Sequence, residues 1–434
     1  MEKVEEKSIH NEKSEDIIKE TNPIEPPDGG RGWLVVFGAF CGLFSIYGVN
    51  YSWGVFLRTY NKQVYIGEMT KLSWIGSICI AFFFITGPFN DWITRKLGYT
   101  LMLSISTVLC PLSLMLASIS NSIWQLYLTQ GLLFGIGASF TWFSCIPAVQ
   151  QWFSKKRGIA IGLAMFGSGI GGLVMSNITQ AVISSSLGYR WALRILGFIC
   201  LIFLFIATLL VKPFDGYRDP NIKDTTPMIK KQLRLLKSVE FNLLLSVAFI
   251  TTFGYLVPSF LLPSYADYLG LNPWIGTNLS AILSGINSIS KLIVGWTGDR
   301  LGRLNTFVLC TFLCGIMSLA IWTNAKTEAS IWVFSVFYGL FGGGYLTMLA
   351  AIVPQIGGYE HISEANGLMY FLNLPGYLVG TPIASAIINV SKPTTGVAHY
   401  EYAAIWAGLL MSVGGILAFI LRIYKVGWSW KIKV

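Results

Sequence analysis

Long apolar stretches alternate with short polar segments along the chain after residue 32. A helix that crosses a membrane needs about 20 mostly apolar residues, and twelve stretches meet that requirement. They cover residues 33–56, 72–91, 99–119, 122–147, 158–183, 189–211, 241–262, 274–297, 304–323, 331–353, 364–388 and 401–424. The longest polar interior segment, 212–240, divides them into six and six. The pattern predicts an all-α polytopic membrane protein with twelve transmembrane helices in two six-helix bundles, residues 33–211 and 241–424.

The composition agrees with a membrane protein. Of the 434 residues, 53% are hydrophobic and 12% are charged, whereas about 25% are charged in ordinary soluble proteins. Residues 1–32 and 212–240 together hold 25 of the 52 charges. The rest of the chain carries too little charge for a soluble enzyme or a disordered protein, and the bases are too scattered for a nucleic-acid binder. Residues 1–32 are expected to form an acidic, disordered tail with a helix-entry motif, and 425–434 a short basic tail.

The distribution of Lys and Arg gives the orientation. If the N-terminus is cytoplasmic, the inner segments carry 23 Lys and Arg residues and the outer segments carry 6. Cytoplasmic loops carry the excess of these residues in membrane proteins. Both termini and the central loop are therefore predicted to be cytoplasmic. The plasma membrane is the expected location, with an organelle membrane as the alternative.

Chemistry-bearing motifs are absent from the sequence. The seven cysteines lie in or beside apolar stretches without metal-ligand spacing, and there is no Ser/His/Asp set or phosphate-binding glycine loop. We therefore expect neither an enzyme nor a bound metal or cofactor. The expected partners are the lipid bilayer and a small-molecule solute, and no nucleic acid. Coupling to a proton and an accessory membrane subunit are left open.

The two halves of the chain repeat each other. The segment Gly87-x-x-x-Asp91 recurs as Gly295-x-x-x-Asp299, 208 residues later. Two further segments, 134–147 and 160–163, recur at 341–354 and 365–368, with offsets of 207 and 205. Two parallel six-helix repeats with a binding site between them near the midplane form the major facilitator fold.

Acids and bases also cluster where the repeated helices end. An acid beside several bases can form an ion-pair cluster that must break when an inner gate opens. The alternative is that the bases only set the orientation, which does not require acids at matching positions. The predicted gating residues are Asp91, Arg95, Arg157, Asp299, Arg300 and Arg303.

Two motifs resemble those of the monocarboxylate porter family. Asp28-Gly29-Gly30-Arg31-Gly32-Trp33 is similar to the signature that opens its members, although Arg31 stands where they usually have an aromatic residue. Residues 154–164, from Ser154-Lys155-Lys156-Arg157 to Ala164, are similar to its second signature. The resemblance implies secondary transport of small organic anions, often with a proton. In this setting, Asp28 is expected to cap the first membrane helix.

Lys291 is a basic residue deep inside a predicted membrane span. It lies roughly 12 Å along the helix from Asp299 at 1.5 Å per residue, and no span holds an acid that could neutralise it. A lysine near the bilayer centre costs at least about 2.5–3.5 kcal/mol. We therefore predict that Lys291 binds an anionic substrate, assisted by Asn287 one turn away. The alternative is a lysine held by helix carbonyls or by a distant acid.

The family comparison adds further expected site residues. The resemblance implies an Asp followed four residues later by Arg, and these positions read Asn287 and Lys291 here. A lysine that lactate-carrying members place in the first helix corresponds to Tyr51, next to Asn50.

Asn373, followed by Pro375, predicts a helix break that lines the cavity or acts as a bend. Aromatic residues that could stack on a ring, or simply pack, are Tyr47, Tyr51, Trp142, Phe143, Tyr345, Tyr370 and Phe371.

These observations predict a secondary active or facilitative transporter that moves a small organic monocarboxylate or related anion by alternating access. One alternative is the same fold carrying a larger neutral or aromatic solute such as riboflavin. The other is a membrane receptor or scaffold that transports nothing. Glycines between residues 162 and 172 give one predicted helix a nearly smooth face, which serves either static packing or sliding.

Overall fold

The computed structural model describes residues 26–214, 228–358, 362–395 and 399–428. Residues 1–25 of the predicted acidic tail, 215–227 of the central loop and 429–434 of the basic tail lie outside these residues. The α-helices of the described chain are α1 (Gly32–Tyr51), α2 (Trp53–Thr59), α3 (Met69–Phe82), α4 (Asn90–Ile119), α5 (Ile123–Leu126), α6 (Phe134–Trp152), α7 (Arg157–Ser184), α8 (Gly188–Leu210), α9 (Met228–Leu236), α10 (Val239–Tyr255), α11 (Val257–Tyr268), α12 (Pro273–Leu301), α13 (Arg303–Ala320), α14 (Glu328–Gly357), α15 (Ile362–Leu372), α16 (Leu374–Thr395) and α17 (Tyr400–Val426). We call α1–α8 the first half and α10–α17 the second half.

Eleven helical stretches of the described chain are long and apolar enough to cross a membrane. One of them runs from Met69 to Ile119, which is 51 residues and more than twice the length of one crossing. Its path is interrupted at Gly98, where φ is 72° and ψ is 163°. A glycine tolerates this left-handed backbone because it has no Cβ.

Several long helices are broken near their middle. The break between α1 and α2 falls at Ser52, and the break between α10 and α11 falls at Leu256, just before Pro258. Asn373 separates α15 from α16 two residues before Pro375, as the sequence predicted. A proline removes a helix hydrogen bond and clashes with the preceding turn, which accounts for the breaks at Leu256 and Asn373. The break at Ser52 has no proline beside it.

Glycines bring α7 close to a helix of each half. A Cβ built on Gly167 or Gly171 would lie 2.3 Å from a backbone oxygen of α1, in the same half. A Cβ on Gly162 would lie 2.6 Å from the carbonyl oxygen of Lys291 on α12, in the other half. The smooth face predicted for this helix is therefore two faces, one packed within its own half and one packed between the halves.

The repeated glycines Gly87 and Gly295 mark two contacts between the halves. A Cβ on Gly87 would lie 2.3 Å from the carbonyl oxygen of Gly367 on α15. A Cβ on Gly295 would lie 2.6 Å from the carbonyl oxygen of Gly158 on α7. Each half thus presents its repeat glycine to a glycine of the other half, and neither position has room for a side chain.

Candidate functional site

Lys291 lies between the halves, on the side of α12 that faces α7. Its side chain is buried, and its Nζ donates a hydrogen bond to Ser168 Oγ of α7 at 2.5 Å. Among the described residues, no carboxylate oxygen lies within 4.0 Å of this amine. A hydroxyl satisfies one N–H but supplies no negative charge. In its charged form, Lys291 therefore has a hydrogen-bond partner and lacks a counter-charge.

Aromatic rings from both halves meet at a second place between the halves. The Phe84 ring stacks on Tyr370 with 5.1 Å between centroids, and it lies 5.0 Å from Tyr377. Trp142 packs edge-on against Tyr370 at 5.2 Å and against Tyr47 at 5.7 Å. We call seven of these connected rings the aromatic cluster. Its members are Tyr47, Tyr51, Phe83, Phe84, Trp142, Tyr370 and Tyr377.

Sequence reasoning found four members of the aromatic cluster and missed three. Phe83, Phe84 and Tyr377 carry no signal that separates them from ordinary apolar residues of a membrane helix. Tyr345, which was a candidate, packs elsewhere: its hydroxyl donates to the carbonyl of Ala248 at 3.3 Å within the second half. The internal repeat could have identified Phe83, because at the offset of 208 residues it is the position of the first half that corresponds to Lys291 in the second half.

Some of the buried polar side-chain atoms without partners belong to predicted site residues or to the aromatic cluster. In the described chain, no hydrogen bond is made by either side-chain amide atom of Asn373, by the hydroxyls of Tyr370 and Tyr377, or by the Oδ1 atoms of Asn50 and Asn287. Leaving such a group unsatisfied costs about 1–3 kcal/mol. Buried polar groups without protein partners indicate water or a ligand.

The remaining predicted site residues have identifiable neighbours. Asn50 Nδ2 lies 3.9 Å from Cys79 Sγ, which leaves its Oδ1 free of any described donor. Tyr51 packs on Gly172 of α7. Asn287 lies against Gly342 of α14, whereas Lys291, one turn away, turns to α7.

Lys291 and the aromatic cluster lie at a similar depth in the bundle. At 1.5 Å per residue, Lys291 is about 15 Å from the end of α12, and Tyr370 is about 12 Å from the start of α15. These two helix ends lie on the same side of the bundle, because Gly295 and Gly367 both reach the cross-half glycine contacts there. The cationic group and the aromatic cluster thus occupy the middle of the bundle.

Asp299 connects the halves at one end of the bundle, which we call the Asp299 end. Its carboxylate accepts hydrogen bonds from the backbone N–H groups of Gly158 and Ile159, at 3.2 and 3.1 Å. Arg303 donates to the same carboxylate at 2.8 Å and to the carbonyl of Ser154 at 3.1 Å. The carboxylate thereby meets the N-terminus of α7, where backbone N–H groups favour negative charge.

The other predicted gating residues make more local contacts. Asp91 pairs with Arg95 at 2.7 Å within α4. Arg157 is fully buried and donates to the carbonyl of Phe153 at 2.9 Å. Arg300 places its guanidinium 3.9 Å from the ring centre of Trp296.

The opposite end of the bundle, which we call the Asp267 end, is closed by ion pairs that the sequence did not reveal. Asp267 at the end of α11 accepts from Arg58 Nε of α2 at 2.8 Å and pairs with Lys62 Nζ at 3.0 Å. The side chains of Arg58 and Asp267 are 13% and 16% exposed. On the same side, Thr277 of the second half donates to Gln180 of the first half at 3.2 Å.

The prediction that Asp28 caps the first helix is wrong. No side chain caps the N-terminus of α1. The Asp28 carboxylate instead accepts from the backbone N–H groups of Ser154, Lys155 and Lys156, at 2.9–3.1 Å. Trp33 supports the same contact, with its ring 4.8 Å from that of Phe153. The two signature motifs therefore bind each other, because three consecutive backbone N–H groups between α6 and α7 converge on the Asp28 carboxylate.

Comparison with known proteins places this architecture in a family. The chain matches the family model described as Major Facilitator Superfamily over residues 35–381 and 276–431. It is 31% identical to MFS transporter asaE of Aspergillus flavus over 418 residues, which cover 96% of this chain and 92% of that protein. It is also 31% identical to MFS-type transporter pynF of Aspergillus niger, with 92% of this chain and 90% of the relative covered.

A third relative has a more specific name. The aspyridones efflux protein apdF of Emericella nidulans is 29% identical, with 91% of this chain and 78% of the relative covered. Together with these relatives, the long apolar helices identify a multi-pass integral membrane transporter. The chain belongs to the Major Facilitator Superfamily, and the matched family model is that of the superfamily as a whole.

Proposed function

We propose that the protein is a secondary transporter that moves a ring-bearing organic anion, most simply a monocarboxylate, by alternating access. The observation that carries the proposal is Lys291, a buried amine without a described counter-charge, at the depth of the aromatic cluster. A carboxylate would neutralise the amine, and rings of the same solute would pack among Trp142, Phe84 and Tyr370. Offset or edge-on ring packing contributes about 0.5–1.5 kcal/mol per pair beyond burial.

The proposed topology has twelve crossings. The stretch from Met69 to Ile119 crosses twice, with its turn near Gly98, because 51 residues exceed two membrane thicknesses of helix. Both termini and the Asp299 end are then cytoplasmic, as the excess of Lys and Arg requires. The Asp267 end faces outward.

Alternating access follows from contacts that close both ends. Asp299 and the glycine contacts hold the halves together at the cytoplasmic end, and Asp267 with Arg58 holds them at the outer end. Breaking one set while the other stays intact would expose the central site to one side. Because apdF is named an efflux protein, export is the direction proposed for this chain.

Transport by reconstituted vesicles tests the proposal. The panel consists of labelled lactate, benzoate, 2-naphthoate and riboflavin, with and without an inward proton gradient. We expect saturable counterflow of the ring-bearing acids and a roughly ten- to hundredfold loss in Lys291→Gln, the size of a lost charged hydrogen bond. Lys326→Gln, at an exposed lysine, is the matched control and should transport normally.

Two other outcomes would contradict the proposal, and the proton gradient decides the mode of transport. Transport of riboflavin with little effect of Lys291→Gln would favour the neutral solute. Absence of flux for all four solutes would favour a receptor. Faster flux with the gradient would add proton coupling to the transport cycle, whereas an equal rate would make the protein a facilitator.

A further inference from the structure

Asn373 is the one buried amide side chain of the described residues in which neither polar atom has a hydrogen-bond partner. Its side chain is 0% exposed, and neither Oδ1 nor Nδ2 has a hydrogen-bond partner among the described residues. It lies at the break between α15 and α16, where its own carbonyl still accepts from Gly376 and Tyr377 N–H groups. The break therefore preserves helical spacing around Asn373.

Two tyrosines share the helix face of Asn373. Tyr370 precedes it by three residues and Tyr377 follows it by four, which are the spacings of neighbours on one helix face. Both hydroxyls are also without a described partner. Both rings contact Phe84 of the first half, at 5.1 and 5.0 Å. The unpaired groups thus lie on the face where the two halves meet.

We infer that Asn373, Tyr370 and Tyr377 form a subsite for a flat, uncharged group that carries a hydrogen-bond donor and an acceptor side by side, as an amide or lactam does. An asparagine side chain offers two donors and an acceptor in one plane, and a tyrosine hydroxyl can donate or accept. A carboxylate would accept only and leave Asn373 Oδ1 unpaired. An ammonium would donate only and leave Nδ2 unpaired.

This inference rests on the proposed function and divides its site into two poles. The carboxylate of the substrate belongs at Lys291, which has the only buried amine among the described residues of the site. The amide-like end belongs at Asn373, against the Phe84 ring. The substrate class is therefore a ring system with an acidic group and a separate amide or lactam.

Two matched probes test the subsite: 6-carbamoyl-2-naphthoate and 6-acetyl-2-naphthoate. They share the ring and the carboxylate, and they differ in whether the second group can donate. Binding to the purified full chain is measured by calorimetry. We expect the carbamoyl probe to bind about tenfold more tightly, since it makes one further hydrogen bond.

The variant Asn373→Leu removes both amide atoms and keeps the side-chain volume. We expect the ratio of the two Kd values to fall to about one, while the thermal midpoint stays unchanged or rises because a buried unpaired amide is gone. If this variant does not fold, the double variant Tyr370→Phe with Tyr377→Phe keeps both rings and should lower the ratio at least threefold. Tyr345→Phe is the control, since its hydroxyl already donates to the Ala248 carbonyl and is not one of the unpaired groups, and it should keep the full ratio.

The outcomes separate this inference from the proposed function. Lys291→Gln should weaken the binding of both probes equally and leave the ratio of their Kd values unchanged. If Lys291→Gln changes neither Kd while Asn373→Leu brings the ratio to one, the proposed anion site is wrong and the subsite is supported. Equal affinities in the unmodified protein, or a ratio that survives Asn373→Leu, would show that Asn373 holds only water. Failure of both probes to bind at millimolar concentration would overturn the subsite as well.

Discussion

Asp267→Asn tests whether the ion pairs of the Asp267 end hold the two halves together. The substitution keeps a side-chain oxygen that can accept from Arg58 but removes the charge that attracts Arg58 and Lys62. We expect the equilibrium between closed and open forms of this end to move toward the open form. The rest of the bundle should be unaffected, because the substitution changes contacts at this end alone.

The size of the effect follows from burial. Lys62 is 54% exposed and contributes little, since exposed pairs are worth about 0–1 kcal/mol. The Arg58 and Asp267 side chains are only 13% and 16% exposed. The free energy that their pair contributes should therefore lie between that of an exposed pair and the about 3–5 kcal/mol that is lost when a buried charge loses its partner. Because asparagine still accepts a hydrogen bond, we expect about 1–2 kcal/mol, a five- to thirtyfold shift of the equilibrium.

Spin labels measure that shift directly. Labels at the exposed positions Gln63 and Lys326 span the Asp267 end, and labels at Lys155 and Leu301 span the Asp299 end. All seven native cysteines are buried, which limits unwanted labelling. In Asp267→Asn, the longer-distance population should grow between the first pair of labels and not between the second.

Glu68→Gln provides the matched control for this measurement. Glu68 makes the same kind of ion pair at the same end, with Lys71 at 2.9 Å, but both residues belong to the first half. It should leave both distance distributions as they are. Equal shifts in Glu68→Gln and Asp267→Asn, or no shift in Asp267→Asn, would refute the role of the inter-half pair.

Two further substitutions address the Asp299 end. Gly295→Ala places a Cβ 2.6 Å from the Gly158 carbonyl oxygen, which should cost about 1–3 kcal/mol of stability and slow transport. The control Gly285→Ala, on the same helix, meets only a side chain at 3.5 Å and should be neutral. Equal transport rates of the two variants would contradict this expectation. Asp299→Asn loses a charge that two backbone N–H groups share and should open this end about tenfold, seen as a longer-distance population between labels at this end. Its control is Glu240→Gln, which breaks a pair inside the second half, and an equal response of the two variants would count against a gate at Asp299.

The sequence could predict what depends on local pattern. Apolar length and the segregation of Lys and Arg are properties of each segment by itself, and they led to the bundle of long apolar helices. The fixed offset between Gly87 and Gly295 predicted a repeat, since both positions keep the same neighbours in sequence. The repeat did not predict that Gly87 contacts Gly367 or that Gly295 contacts Gly158, because these contacts join residues far apart in the chain.

Asp28 and Asp267 show what local reasoning misses. Its place in the sequence assigns Asp28 to the adjacent helix end, but its partners are three amides more than 120 residues away. Asp267 is one acid at the end of an apolar helix, and nothing near it in sequence distinguishes it. Its importance arises from Arg58, 209 residues earlier. Electrostatic partners across a bundle are set by the fold, so they cannot be read from spacing along one segment.

The two ends of the bundle close by different chemistry, and the difference bears on how transport can proceed. At the Asp299 end, glycines allow backbone to touch backbone, and a carboxylate binds backbone amides. Such contacts tolerate almost no sliding before they break, because each depends on sub-ångström fit. At the Asp267 end, the long side chains of Arg58 and Lys62 can follow the carboxylate over several ångströms as the halves begin to move. We therefore expect the Asp299 end to open and close sharply and the Asp267 end to open gradually.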